Sequence, residues 1–218
     1  MNTEFLKNTM IFQGMDENEL TDALNFLRAH EQNFKKGSMI LHAGDLTDKM
    51  GLVMEGSVTV ESDDAWGNRS ILSKVEAGGF FAETYAVLPK EPLLVNVIAN
   101  EDCHILFLRI GSLKQLQNNM EPWMIKFVSN LLMLSMHKNL MLSSRSFHTA
   151  SKTIRGRVMA YLNSVSMQKH AREFNIPFDR QQLADYLNLE RTALSKELSK
   201  MKADGLIDYY KNSFKIIV

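Results

Sequence analysis

The sequence predicts an α+β chain in which a β-sandwich or barrel is followed by a long helix and a C-terminal helix-turn-helix. Three observations carry this expectation. Between Phe34 and Ile110, short apolar runs such as SMIL, MGLVM, SVTVE, SILSKV, NVIA and HILFL alternate with KKG, AGD, EGS, DDAWGN, EAGG and PKEP. Runs this short, broken this often by turn-forming residues, mark an all-β unit. From Pro122 to about Phe147 no Gly or further Pro interrupts a helical period. Residues 178–207, FDRQQLADYLNLERTALSKELSKMKADGLI, write two short helices joined by a tight turn.

Bulk properties agree with two domains. The chain has 218 residues, 45% of them hydrophobic and 23% charged, the composition of a soluble globular protein. It has no apolar run of about 18 residues that would span a bilayer. Its first residues, MNTEFLKNTMIFQG, lack the cationic-then-apolar order of a secretory signal, so a cytoplasmic location is expected. Cys103 is the only cysteine, which excludes an internal disulfide, a multi-cysteine zinc site and a cysteine-ligated cluster. The net charge of zero is unevenly shared. Residues 148–218 hold 12 Lys and Arg against 7 Asp and Glu, net +5, and the rest of the chain is net −5. That asymmetry points to a polyanionic partner for the C-terminal part.

Taken in order, DENELTDALNFLRAH at 16–30 sets Leu20, Leu24 and Leu27 at helical spacing behind a polar start, the pattern of a short amphipathic helix. The β-rich region follows. In the long helix, Trp123, Phe127, Val128, Leu131, Leu132, Leu134, Leu140, Met141 and Leu142 exceed what one stripe requires. One apolar face is therefore expected to pack on its own domain and another on a partner copy. SSRSFHTASKT at 143–153 is polar and small, the composition of a hinge, and IRGRVMAYLNSV opens a new helix.

Asp179, with Gln182 three residues on, can cap the first of the two short helices, and Phe178 can staple onto Leu183. That helix buries Leu183, Ala184 and Leu187. The second runs from about Arg191 to Ala203, ends at Gly205, and buries Leu194, Leu198 and Met201. Arg191, Thr192, Ser195, Lys196 and Ser199 share its opposite face, a surface of donors and positive charge that fits the major groove. IDYYKNSFKIIV reads as a hairpin turning near Asn212, a wing that would bring Lys211 or Lys215 to the DNA backbone.

Together KKGSMILHAGD, GLVMEGSVTV, GGFFAE and RQQLADYLNLERTALSKEL resemble the CRP/FNR family of bacterial transcription regulators, in the family's order and spacing. The resemblance implies a jelly-roll sensor of the cyclic-nucleotide-binding type, a dimerisation helix at about 112–147, and a winged helix-turn-helix over 148–218. By position, Arg191, Thr192, Ser195 and Lys196 fall where the family contacts bases and phosphates, and Arg180 and Ser199 are counted with them. Thr192 stands where many members carry glutamate. Phe127, Leu131, Leu134 and Met141 are taken as the dimer seam. Glu83 matches the glutamate that holds ribose in members that bind cyclic AMP, but the Arg-Ser pair that completes their phosphate site aligns with Leu93 and Leu94. A phosphate without its arginine would be a poorly paired, desolvated anion. The effector is therefore expected to differ from cyclic AMP and to meet Phe80, Phe81, Ala82, Glu83, Tyr85, Leu93 and Leu94. No metal or cofactor is expected, since the oxygen-sensing branch needs several cysteines.

The leading expectation is a homodimeric, non-enzymatic regulator that binds a pseudo-palindromic DNA duplex, responds to a small-molecule effector and, as an activator, contacts RNA polymerase. Alternatives remain open. A regulator of the same family that does respond to a cyclic nucleotide is the nearest. A cupin-type metal enzyme would need clustered ligands, whereas the histidines at 30, 42, 104, 137, 148 and 170 are scattered. A regulatory module that docks on another protein is the third.

Overall fold

The computed structural model describes residues 2–63, 69–88, 90–111 and 121–217. The chain divides into two compact units, Met1–Leu134 and Ser135–Val218.

The first unit opens with α1 (Thr3–Lys7), a 3-10 turn at Met10–Phe12, and α2 (Glu17–Phe26). Asp16 and Glu19 form a reciprocal capping box that starts α2. Eight strands follow: β1 (His30–Phe34), β2 (Met39–Leu41), β3 (Met50–Glu55), β4 (Ser57–Asp63), β5 (Arg69–Glu76), β6 (Phe80–Phe81), β7 (Asn96–Ala99) and β8 (Cys103–Leu108), with the short α3 (Glu83–Val87) after β6. They form two four-stranded antiparallel sheets, ordered β1-β8-β3-β6 and β2-β7-β4-β5.

In the first sheet β3, β6 and β8 are buried on both faces while the edge strand β1 is largely exposed, and the two-residue period of a strand sorts the side chains. Val53, Phe81, Cys103, Ile105 and Phe107 face the interior, with Val58, Val97 and Ala99 of the second sheet. Met50, Leu52, Met54, Phe80, Leu106 and Leu108 face the other way, onto the helices. Continuous apolar runs such as MGLVM are the sequence form of a strand with no wet face. Gly51 pairs with Phe81 on one side and Phe107 on the other, and those rings meet edge to face at 6.4 Å. A Cβ at residue 51 would overlap the Phe81 ring.

A 28-residue helix, α4 (Pro122–Thr149), spans the division between the units. The earlier part of the expected helix, 112–120, lies outside the described residues. The expected boundary between residues 147 and 148 differs from the division by packing, which falls inside α4. The expected hinge is also shorter than its composition suggests. Residues 143–149 continue α4, and only Ala150–Thr153 separate it from α5 (Ile154–Lys169).

The second unit adds β9 (Glu173–Asn175), α6 (Arg180–Tyr186), α7 (Arg191–Ala203), β10 (Ile207–Tyr210) and β11 (Ser213–Ile216). The strands form one antiparallel sheet, ordered β10-β11-β9. Tyr210 pairs with Ser213, so Lys211 and Asn212 make the expected hairpin turn. The core joins Val158 and Leu162 of α5, Leu183 of α6, Leu194, Leu198 and Met201 of α7, and Ile207 and Phe214 of the wing. Among the described residues no helix is long and apolar enough to cross a membrane.

His148, from the last turn of α4, is buried in this unit. Its Nδ1 lies 3.0 Å from the Tyr186 hydroxyl and its ring meets Tyr161 edge-on at 5.5 Å. Burial lowers the imidazole pKa below 6.5, and burial pushes the Tyr161 hydroxyl up to about 12.

Two outcomes follow from this packing. Gly51→Ala is expected to lower stability by about 1–3 kcal/mol, because its Cβ would overlap the buried Phe81 ring and force it to shift; urea unfolding measures it. The neutral His148 is favoured by the fold, so its contribution is complete above pH 6.5 and declines as pH falls below that value. Between pH 7.5 and 5.5 the urea midpoint of the wild type is expected to fall more than that of His148→Gln.

Candidate nucleic-acid interface and effector region

The helix-turn-helix is built by local chemistry. The Asp179 carboxylate accepts the Gln182 N–H at 2.8 Å, and the Gln182 side chain accepts the Asp179 N–H at 2.8 Å, the capping box expected from the sequence. Leu187 ends α6 and Asn188 takes a left-handed φ of 53°. The start of α7 rests on a residue that sequence reasoning passed over as part of the turn. Glu190 is its N-cap, accepting the N–H groups of Thr192 at 2.9 Å and Ala193 at 2.7 Å. The Thr192 N–H foremost holds this carboxylate below the usual range. Donors that bind phosphate at many helix N-termini are thus occupied, and an incoming anion must be met by side chains.

Leu194, Leu198 and Met201 are fully buried, which turns the opposite face outward. Arg191, Thr192, Lys196 and Ser199 are exposed on it and Ser195 is half-buried, so the structure keeps these five on one surface. Ser199 spends its hydroxyl proton on the Ser195 carbonyl at 3.1 Å.

Arg180, expected as a DNA contact, is held against the wing. Its guanidinium lies over the rings of Tyr209 at 5.2 Å and Phe214 at 5.8 Å and donates to the Lys211 carbonyl at 3.3 Å. Burial under these rings lowers its pKa, and the Arg191 charge acts in the same direction. The cation is drawn onto the wing because the aromatic faces and a turn carbonyl meet it there. Asn212 ties the same turn to Ile176, donating to its carbonyl at 3.3 Å and accepting its N–H at 2.9 Å. The pinned wing presents Lys211, Lys215 and a 73%-exposed Tyr210 to solvent.

The expected effector residues do not all converge. Phe81 faces the interior between the sheets, but Phe80, its neighbour on the strand, packs against the helices on the opposite face. Ala82 adopts a left-handed φ of 63° and caps α3. Glu83 is buried. Leu93 is 1% exposed, its backbone tied to the 42–45 loop through Gly44 N–H at 2.7 Å and Asp45 C=O at 2.9 Å. Tyr85 is half-buried, and its hydroxyl oxygen accepts the Leu94 N–H at 3.4 Å. The Leu94 side chain is 73% exposed. Phe80 and Leu94 are therefore removed from the expected lining, the first by strand alternation and the second by its outward turn.

Of the residues expected at the dimer seam, Phe127, Leu131 and Leu134 pack within the single chain into the first unit's own core, and only Met141 is exposed. The uncovered stripe of α4 runs instead through Ile125, Val128, Leu132, Met136 and Leu140, at spacings of three and four.

Comparison with known proteins places this geometry. Residues 31–119 match the cyclic nucleotide-binding domain family, and residues 156–218 match the Crp-like helix-turn-helix domain family. No curated protein matches the chain by sequence. Among solved structures, the catabolite activator protein of Thermus thermophilus is similar at 22% identity, over 95% of this chain and 93% of that one, with a TM-score of 0.51. The c-di-GMP responsive global regulator CLP of Xanthomonas campestris is similar at 17% identity over 93% and 100%, with a TM-score of 0.59. CprK in complex with OCPA is similar at 15% identity over 93% and 92%, with a TM-score of 0.61. At these identities the structural likeness is one of fold, and the two family matches, in this order along one chain, carry the assignment. The chain belongs to the CRP/FNR family of transcription regulators, DNA-binding proteins that act as dimers, with an effector-binding domain ahead of a helix-turn-helix.

Proposed function

We propose that this regulator is a cytoplasmic homodimer that reads a two-fold symmetric DNA site and is controlled by an effector other than cyclic AMP. The observation that carries the DNA reading is the outward face of α7, where Arg191, Thr192 and Lys196 are exposed opposite a fully buried apolar side. Arg191 is the residue for guanine, through a bidentate fork to O6 and N7. Thr192, Ser195 and Ser199 contribute hydroxyls, and Lys196 and the wing's Lys211 neutralise phosphates. Arg180 supports the same surface by pinning the wing.

The exposed stripe of α4 is the surface for the second copy. Two such helices side by side would cover Leu132, Met136 and Leu140 and set the two reading heads about one DNA turn apart. An activating member would add a contact with RNA polymerase.

Leu93 speaks against cyclic AMP, because it is buried where the family's nucleotide-binding members place the phosphate arginine. The ligands of structural relatives are varied: CLP is c-di-GMP responsive and CprK is complexed with OCPA. That variety supports an effector class set by the residues of this chain.

Selection of duplexes from a random library, with and without cyclic AMP, is expected to enrich one symmetric site equally in both. Enrichment only with the nucleotide would overturn the effector reading. On the selected site, Arg191→Ala is expected to cost about 1–3 kcal/mol and relax preference at one base pair, and Lys196→Ala to weaken all sequences alike while reducing the salt slope by about one. Leu132→Glu with Leu140→Glu is expected to shift the protein from dimer to monomer in sedimentation, with the circular dichroism of the folded chain retained.

A further inference from the structure

The last turns of α4 are built into the reading head. The Arg145 Nε donates to the Tyr186 carbonyl at 3.0 Å, and one terminal nitrogen donates to the Asp185 carbonyl and the Asn188 side-chain oxygen, each at 3.1 Å. The guanidinium carbon also lies 5.7 Å from the Tyr186 ring centre. One turn further on, His148 reaches the Tyr186 hydroxyl. Both side chains therefore hold the end of α6 and the turn that leads into α7.

The end of α6 needs such partners, because the last carbonyls of a helix have no intrahelical donor. From the other side, Arg157 of α5 donates to the Leu187 carbonyl at 3.1 Å and the Asn188 carbonyl at 3.0 Å. Two arginines thus divide one set of carbonyls, and they come from different places. Arg157 belongs to the reading head's own core helix. Arg145 belongs to the helix whose neighbouring residues Met136, Leu140, Met141 and Leu142 are exposed apolar side chains.

We infer that Arg145 is a positioning residue for DNA recognition: it latches the recognition turn to the long helix and so fixes the separation of the two reading heads in the dimer. The inference rests on the DNA-binding, dimeric reading above. A guanidinium fork holding two carbonyls and an amide oxygen constrains direction as well as distance, which an ammonium at the same place does not. A shift of α4's last turns then carries the 185–188 turn, and α7 behind it, as one piece. Without the fork, each head keeps its α7 face and its base preference but loses its fixed placement on α4.

The test uses the full-length protein and duplexes carrying the selected half-sites with the spacer unchanged, shortened or lengthened by one base pair. Arg145→Ala and Arg145→Lys are expected to retain the base preference within a half-site and to lose discrimination among spacers by about fivefold or more. Arg157→Ala is expected to lower the urea midpoint and keep the spacer preference. Wild-type spacer discrimination in Arg145→Ala would overturn the inference, as would equal loss in the Arg145 and Arg157 variants, which would mean that the carbonyls merely need filling. If Arg145→Ala does not fold, Asn188→Ala, which removes one of the three bonds, carries the same comparison. A wild type that selects no symmetric site would sink the DNA reading separately; hydrogen exchange then decides on the latch. Residues 143–149 lose protection in Arg145→Lys if the fork holds them to α6, and unchanged protection refutes it.

Discussion

A helix satisfies its own backbone but not its own apolar surface, and α4 carries more of that surface than one neighbour covers. Trp123, Met124 and Phe127 are buried in the first unit, where Lys126 adds an ion pair to Glu19 and Asn130 caps the carbonyls of Ile11 and Gln13. At the other end Arg145 and His148 are committed to the second unit. Between and beside these anchors a stripe from Ile125 to Leu140 is exposed among the described residues. Exposed apolar residues this regular are what the proposed association of two copies would cover, so on that reading one helix sequence serves both the fold and the dimer.

Within the reading head, polar groups divide into those the fold consumes and those it leaves. Glu190 takes the first free N–H groups of α7, Arg180 is spent on the wing, and Arg155 bridges Glu197 and Asp204, tying α5 to the recognition helix. Arg145 and Arg157 are spent on the turn. Three of the arginines that make this part of the chain basic, Arg155, Arg157 and Arg180, therefore have partners within the fold. Among the exposed charges that remain, Arg191, Lys196 and Lys200 of α7 lie together with Lys211 at the wing tip. Counting positive residues overstates the contact surface, whereas counting those without a folded-state partner locates it.

Much of the architecture was legible because it is written locally. The Asp179–Gln182 box, the Leu194, Leu198 and Met201 stripe, and the turn at Asn212 each depend on residues a few positions apart, and each stands as expected. Misreadings arose where partners come from far along the chain. Phe80 and Phe81 are chemically identical, and only the register of β6 on β3 decides which faces the interior. Arg180 resembles a DNA contact until Tyr209 and Phe214, some thirty residues later, fold beneath it. The segment 143–149 has the composition of a hinge, yet Arg145 and His148 find partners in α6 that keep it helical. Glu190 left a signal that sequence reading passed over: an acidic residue directly before a helical period is an N-cap candidate.

The sensor poses the complementary question of what a buried leucine selects. Leu93 is held in place through both its N–H and its carbonyl, and its apolar side chain is buried. An anionic group brought against such a side chain loses hydration without gaining a donor, a penalty that grows with charge. On the effector reading proposed above, Leu93 offers a phosphate no donor where an arginine would, so a nucleotide phosphate is disfavoured.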